Sequence, residues 1–496
     1  MFKSWLQELK NNFALDRKWA PALRGVTSDG AATIVVTVAN LIAIPLYINY
    51  LGVDQYGVWI TIFSLVGVIA LFEIGVDQYV VASLSTESGD LTVATKMVIS
   101  KVLLIKIYTS LLYILGGIFL YNYYRLFISV GVDMTQSMQL IVVVLVSFYV
   151  VNLYINLYNS LLISKQKFQF INIVTAVFSV LAIILALGML NLGYGIESIP
   201  IGLFSASFLQ LLIYINYFKD TLNLSSTKVV FFKKIDKELI NYSTSFQVLK
   251  IAYYYRNQLI NLVINNVIGS YAVTIYSVVT RLSTMTATII NKMIGPLFPQ
   301  LTIEISKNTA NKLFVRLNIL IVRITIIFAI LIYFINPIFI NFWVGSGYEV
   351  SRSYLASYLI YYIIIQSMSI YGMVIYSTKK FEKWPFYAVI EVGTSLILAI
   401  FLGNLYGIVG IISALVISSL FIQIYLFYIV LNQLEINKYY FINEIWKKAL
   451  IPNIISFISL FIYIKLNNDI NILNVILIVF FTNIAYEYFK KVLNDI

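Results

Sequence analysis

Two residue types are missing altogether from this 496-residue chain: it has no cysteine and no histidine. The first absence excludes disulfides, thiolate nucleophiles and cysteine-ligated metals. The second excludes serine–histidine catalysis, histidine-bound metals and the usual proton shuttle near neutral pH. Charge is scarce as well. Charged residues make up 11% of the chain, against about 25% in a soluble globular protein, which excludes an ordinary soluble domain. Acidic residues are the scarcer sign, 22 against 34 Lys and Arg. No run alternates apolar and polar residues over the ten or so positions of an outer-membrane strand, so a membrane barrel is excluded too.

What is present is apolar: 60% hydrophobic residues, 16% aromatic and a mean hydropathy of +0.88. A membrane span needs about 20 mostly apolar residues, and its backbone must satisfy its own hydrogen bonds, which makes it a helix. The hydropathy pattern predicts fourteen such spans: 25–50, 57–85, 97–121, 138–163, 168–193, 196–218, 241–268, 271–300, 313–335, 353–378, 384–405, 408–431, 448–465 and 470–489. The expected fold is an all-α polytopic membrane protein.

The net charge of +12 points to the positive-inside rule rather than to nucleic acid. With the N-terminus inside, the external connections hold only Arg125, Arg352 and Lys465. Six cations fall well inside spans, and the rest lie on cytoplasmic segments or the span ends beside them, such as Lys165 and Lys167, Lys379, Lys380 and Lys383, and Lys447 and Lys448. This predicts cytoplasmic N- and C-termini. Residues 1–24 are too charged for a signal peptide. They read instead as an amphipathic cytoplasmic segment, with Phe2, Trp5, Leu6, Leu9 and Phe13 at helical spacing.

The chain carries an internal echo. Ser164-Lys165-Gln166-Lys167-Phe168, followed by Tyr194-Gly195-Ile196 and Ile199, returns as Ser377-Thr378-Lys379-Lys380-Phe381, followed by Tyr406-Gly407-Ile408 and Ile411. A weaker echo pairs Leu51-Gly52 and Tyr56 with Ile268-Gly269 and Tyr271. Spans 1–6 and 7–12 therefore read as two parallel copies of a six-helix unit. The expected organisation is an N-terminal bundle at 25–218, a basic cytoplasmic linker at 219–240, a second bundle at 241–431, and helices 13 and 14 with a cytoplasmic tail at 432–496. Two parallel bundles with a cleft between them suggest transport by rocking.

Ionisable residues in the bilayer cost about 2.5–3.5 kcal/mol each and mark sites or pairs. Four of the six internal cations, Lys250, Arg256, Arg281 and Lys292, sit in spans 7 and 8. Arg281 and Lys292 are eleven residues apart and return to nearly the same helix face. Lys250, Tyr254, Asn257, Asn261 and Asn265 form one polar stripe, with Arg256 off its face. These cations are candidates to line a cavity for an anionic substrate such as a diphosphate, and Asn257 and Asn261 are candidate lumen polar groups. Lys106 and Arg323, each alone in its span, read as paired or reaching to an interface. Glu73 and Asp77 are an i, i+4 pair near the depth of Arg24. They read either as a structural pair with Arg24 or as a proton or sodium site, and Glu391 is open in the same way.

The local sequence resembles the opening of Wzx-type polysaccharide flippases. The resemblance is carried by Pro45-Leu46-Tyr47, by Leu51-Gly52 through Tyr56-Gly57-Val58-Trp59, by Phe72-Glu73-Ile74-Gly75-Val76, and by Pro296-Leu297-Phe298-Pro299 late in span 8. A 6+6+2 set of spans is similar to the superfamily of multidrug, oligosaccharidyl-lipid and polysaccharide exporters. The resemblance implies a bacterial inner-membrane flippase without a cofactor. Its substrate would be an undecaprenyl-diphosphate-linked oligosaccharide for O-antigen, capsule or a related surface polymer. Polysaccharide polymerase and assembly proteins would be its partners, and Arg281, Lys292, Lys250, Arg256 and Arg24 would line a cationic lumen. Rival readings are a lipid II flippase, a multidrug exporter, or a membrane polymerase or ligase. The Glu73 and Asp77 pattern departs from the family's, so no coupling role is carried over to either.

Overall fold

The computed structural model describes residues 20–73, 77, 80–81, 84, 93–128, 135–218, 254–294, 301–302, 304–305, 309–378, 384–467 and 472–495. Among these residues the regular structure is helical throughout. The expected surface helix at 2–13, Lys250, the linker at 219–240 and Pro296 and Pro299 lie outside them.

The chain divides into two compact units, Met1–Tyr254 and Tyr255–Ile496. Unit 1 holds α1 (Ala20–Leu51), α2 (Val53–Val66), α3 (Val93–Tyr123), α4 (Thr135–Ser164), α5 (Phe168–Asn191) and α6 (Ser198–Phe218). Its core is aliphatic and aromatic, built on Val102, Ile155, Leu162, Ala182 and Tyr214. Unit 2 opens on a π-helical turn at Tyr255–Leu259, which leads into α7 (Ile260–Val267). Then come α8 (Ser270–Val279), α9 (Arg281–Ile294), α10 (Ala310–Trp343), α11 (Arg352–Ser367) and α12 (Ser369–Thr378). The chain ends in α13 (Trp384–Gln433), α14 (Lys438–Ile445), α15 (Ile451–Asn467) and α16 (Ile472–Asp495). One core of unit 2 surrounds Phe314, Ile370, Val430 and Phe441; a second, around Phe334, Leu460 and Val475, joins α10 to the last two helices.

Among the described residues, ten helices are long and apolar enough to cross a membrane, or eleven if the bent pair α8–α9 counts as one span. The protein is a multi-pass membrane protein. Straight, the 50 residues of α13 would reach about 75 Å, more than twice the roughly 30 Å hydrocarbon layer. They do not run straight: Gly407 leaves helical geometry at φ 60°, ψ −142°, which splits α13 into two spans as the repeat predicts. Span 7 falls partly outside the described residues, and span 14 corresponds to α16. Span 13 is longer than expected. Instead of starting at 448, helix continues from Asn437, whose side chain accepts from the Tyr440 amide at 3.1 Å, through Lys438 and a π turn to Asn467. The cap and the i, i+4 pair Lys448–Glu444 hold a polar helical extension beyond the apolar span.

Hydroxyls inside the spans are satisfied locally. Thr61, Ser64, Thr109, Ser160, Ser418 and Thr482 each donate to the carbonyl four residues back, which removes the cost of an open donor in lipid. The two echoed glycines hold equivalent places. Gly52 (φ 78°) precedes α2 and Gly269 (φ 125°) precedes α8, each in the left-handed region that a side chain disfavours.

Candidate functional site

In unit 1 the α-helix of span 2 ends before its predicted bound. α2 passes into a 3-10 turn at Gly67–Phe72, and Glu73 is extended at φ −69°, ψ 112°. Beside this break stands Lys106, in the middle of α3. Its ammonium donates to Glu73 Oε1 at 2.8 Å and to Asp77 Oδ2 at 3.0 Å, with Asp77 Oδ1 at 2.9 Å. The lysine is 1% exposed and Glu73 is buried, whereas the Asp77 side chain keeps 21% exposure. Buried charges in a span need such partners. Among the described residues the cation that faces Asp77 is Lys106. A helix break turns Glu73 and Asp77 together toward α3, and an ammonium at mid-helix reaches both. Arg24 lies on α1 with its side chain outside the described set.

Unit 2 holds the other candidates. Span 8 is not one straight helix: α8 and α9 meet at Thr280 with a bend of 46°. Asn336 of α10, 1% exposed, donates to the Val279 carbonyl at 3.2 Å, and Thr280 donates to the Tyr276 carbonyl at 2.7 Å. Asn336 thus supplies a partner to a carbonyl at the bend, where lipid offers none. Arg281 begins α9. On that helix Ser283, Ile290 and Ile294 are buried, Thr284, Thr288 and Asn291 are exposed, and Arg281 and Lys292 are half-buried. At 100° per residue, Arg281, Thr284, Thr288 and Lys292 fall within one narrow arc. The result is a polar, doubly cationic face on a span-forming helix. Thr286, on the flank, is tied to Tyr362 Oη at 2.9 Å.

Part of the stripe expected on span 7 is described. Asn261 and Asn265 share a face of α7 and are both buried, at 5% and 4% exposure. Arg256 and Asn257 sit on the π turn, their side chains outside the described set, and Tyr255 on the same turn donates to Ser395 at 3.0 Å. Glu391 is buried and accepts from Ser419 at 3.2 Å. Arg323 donates to the Asn483 side chain at 3.2 Å and to the Asn483 carbonyl at 3.3 Å. Ser456 accepts from Asn483 at 2.9 Å, and the network ties α10 to α15 and α16.

One groove, of about 1010 Å³, lies between α1 and α5. Its walls are Ala31, Val35, Ile173, Val177 and Ile184, with a polar end where Asn172 donates to Ser28 at 2.9 Å. Its described lining carries no charge and suits hydrocarbon. Among the described residues no group of three acidic side chains suits a metal.

Sequence reasoning singles out Glu73, Asp77 and Lys106 but does not join them. The available signal is three charges in consecutive spans, where a lone buried lysine requires an acid. It also misses Thr284 and Thr288, whose i+3 and i+7 spacing from Arg281 is visible in the sequence.

Comparison with known proteins places this architecture. The fold matches a lipid II flippase, MurJ, in an inward closed conformation, with a TM-score of 0.70 at 16% identity over 94% of this chain and 99% of that one. It also matches the multidrug transporter DinF-BH, solved with a ligand bound, at a TM-score of 0.55, 15% identity, and 83% and 96% coverage. A MOP superfamily transporter from Pyrococcus furiosus, described by the reverse polarity of its binding pocket, gives a TM-score of 0.53 at 13% identity, with 84% and 95% coverage. No curated protein sequence gives a significant match. Residues 22–303, more than half of the chain, match the family described as polysaccharide biosynthesis protein, and the chain belongs to that family.

Proposed function

We propose that this protein is a flippase that moves an undecaprenyl-diphosphate-linked oligosaccharide from the cytoplasmic to the external leaflet by alternating access. The observation that carries the reading is the face of α9 that bears Arg281, Thr284, Thr288 and Lys292. Two cations and two hydroxyls on one face of a membrane helix are costly against lipid tails and favourable against water and an anion. A diphosphate supplies that anion, and the cations offset the loss of its hydration. The hydroxyls suit sugar hydroxyls. The lipid tail stays in the bilayer, and no covalent step is needed, in keeping with a chain that has no histidine or cysteine.

The family supports a role in polysaccharide biosynthesis, and the fold supports a transporter. A multidrug exporter that carries cations would need free acids in its lumen; here Glu73 and Asp77 are engaged by Lys106. A lipid II flippase handles the same diphosphate head and differs in the glycan. The reading includes a bacterial inner membrane, cytoplasmic termini, and polymerase and assembly proteins acting on the delivered unit.

The test is deletion of the gene, followed by measurement of lipid-linked glycans in each leaflet and of surface polymer. Complete repeat units stranded on the cytoplasmic leaflet, with surface polymer lost, support the reading, and the glycan's mass separates a polysaccharide unit from lipid II. Normal pools in both leaflets, in a strain with no second flippase gene, overturn it.

A further inference from the structure

The two cations on α9 stand too far apart to hold one diphosphate. They lie on a helix that runs unbroken from Arg281 to Ile294, and their eleven-residue spacing sets the Cα atoms roughly 16 Å apart along the axis. Side chains on a helix lean toward its N-terminus, so both cations lean the same way and the separation carries over to the charges. Both residues are half-buried, which limits their swing. A diphosphate is a pair of phosphate groups joined through one oxygen, far shorter than this gap. The cation that does not hold the diphosphate therefore meets another part of the ligand.

The residues between the cations select what that part is. Thr284 donates its hydroxyl proton to the Arg281 carbonyl at 2.8 Å, and Thr288 donates to the Thr284 carbonyl at 2.9 Å. A hydroxyl has one proton and two lone pairs, so toward a ligand both threonines accept. Both are exposed. Such acceptors suit neutral sugar hydroxyls, which donate, and oppose an anion, which brings only lone pairs. A single diphosphate that moved from one cation to the other would find nothing to bind it on the way. The face runs cation, acceptor, acceptor, cation, and the ligand that matches it runs anion, hydroxyls, anion. Arginine and lysine each carry several donors, so each can hold a ligand beside a partner within the protein.

We propose that the glycan this protein moves is itself acidic, with a carboxylate or a phosphate ester a few sugar rings from the lipid diphosphate, and that Arg281 and Lys292 divide these two anions between them. The neutral sugars in between face Thr284 and Thr288. This rests on the flippase reading and sharpens its substrate class. The cation that meets the diphosphate serves any unit carried on that lipid, and the cation that meets the glycan sets which unit is accepted.

The test begins with the lipid-linked unit that accumulates when the gene is deleted. Mild acid releases its glycan from the lipid diphosphate, and the free glycan is run on an anion-exchange column. Retention is expected. Loss of retention after carbodiimide amidation identifies a carboxylate, and loss after hydrofluoric acid identifies a phosphate ester. A glycan that passes unretained overturns the proposal and leaves the flippase reading intact. The free glycan then competes against transfer of the intact unit in vesicles that contain the full-length protein. The acidic glycan should inhibit at least about tenfold more strongly than its neutralised form, the equivalent of one tenfold step in affinity. That preference should vanish in either Arg281→Gln or Lys292→Gln and persist in the other. Equal inhibition by both forms in the parent protein overturns the proposal, as does a preference unchanged in both variants. Folding of each variant is checked by gel filtration, and the anion-exchange result decides even where a variant does not fold. No accumulating unit and no transfer overturn the flippase reading, and the acidic glycan with it.

Discussion

Lys106→Met removes a single ammonium and leaves Glu73 and Asp77 facing each other without it. The lysine is 1% exposed and contacts both acids at 3.0 Å or less, so the change strips the ammonium that bridges a buried acid pair. Breaking a buried ion pair from one side costs about 3–5 kcal/mol. Asp77 retains 21% exposure, and water there softens the loss, which places the expected cost near about 3 kcal/mol. The triple variant Lys106→Met, Glu73→Gln, Asp77→Asn carries no charge at all, and replacing a whole buried charge set by neutral groups of similar size is close to neutral. It should therefore recover most of what the single variant loses. Glu73→Gln and Asp77→Asn alone leave a one-to-one pair and should cost less than Lys106→Met. Equilibrium unfolding of the purified protein in detergent, followed by tryptophan fluorescence, gives the order. A single lysine variant as stable as the parent refutes the reasoning, as does a triple variant no better than the single.

Gly202→Ala should destabilise unit 1. A Cβ there would meet the Ala182 carbonyl oxygen at 2.6 Å and the Ala186 nitrogen at 2.9 Å, both backbone atoms, so α5 and α6 must part. Overpacking costs about 1–3 kcal/mol, and a second change, Ala186→Gly, should not rescue it, since the carbonyl clash remains; full rescue in unfolding experiments would contradict the packing. Asn483→Ala removes an acceptor from Arg323 and a donor to Ser456, a loss of about 2–3 kcal/mol for hydrogen bonds that include a charged group. Hydrogen exchange should rise first in α16, and unchanged protection there would count against the network's role in docking that helix.

Much of the fold is legible in the sequence because lipid imposes a simple rule: about 20 apolar residues make one self-satisfied helix. The placement of Gly52, Gly269 and Gly407 at turns follows from the repeat, and all three take positive φ. Breaks are harder to see. Nothing in the hydropathy of span 2 shows that helix stops at Gly67–Phe72, and nothing in span 8 shows the bend at Thr280. These depend on tertiary partners such as Lys106 and Asn336, which recover the charges and carbonyls a break exposes. Face assignments divide in the same way. The Arg281–Lys292 spacing survives because both residues lie on one unbroken helix, α9. Asn261 and Asn265 do share a buried face, but spacing fixes which residues share a face and not which neighbour covers it. The Lys438–Ile445 extension of span 13 escapes a hydropathy reading because polar helix has no hydropathy signal.

The most direct measurement of the central claim is leaflet-to-leaflet transfer of the purified lipid-linked oligosaccharide in vesicles that contain this protein. Arg281→Ala and Lys292→Ala should each slow transfer, and the double variant should slow it at least about tenfold, the equivalent of about 1.4 kcal/mol. Arg281→Lys should keep part of the rate, and all variants should insert normally. Transfer at the parent rate in the double alanine variant would contradict the cationic face of α9 as the substrate's path.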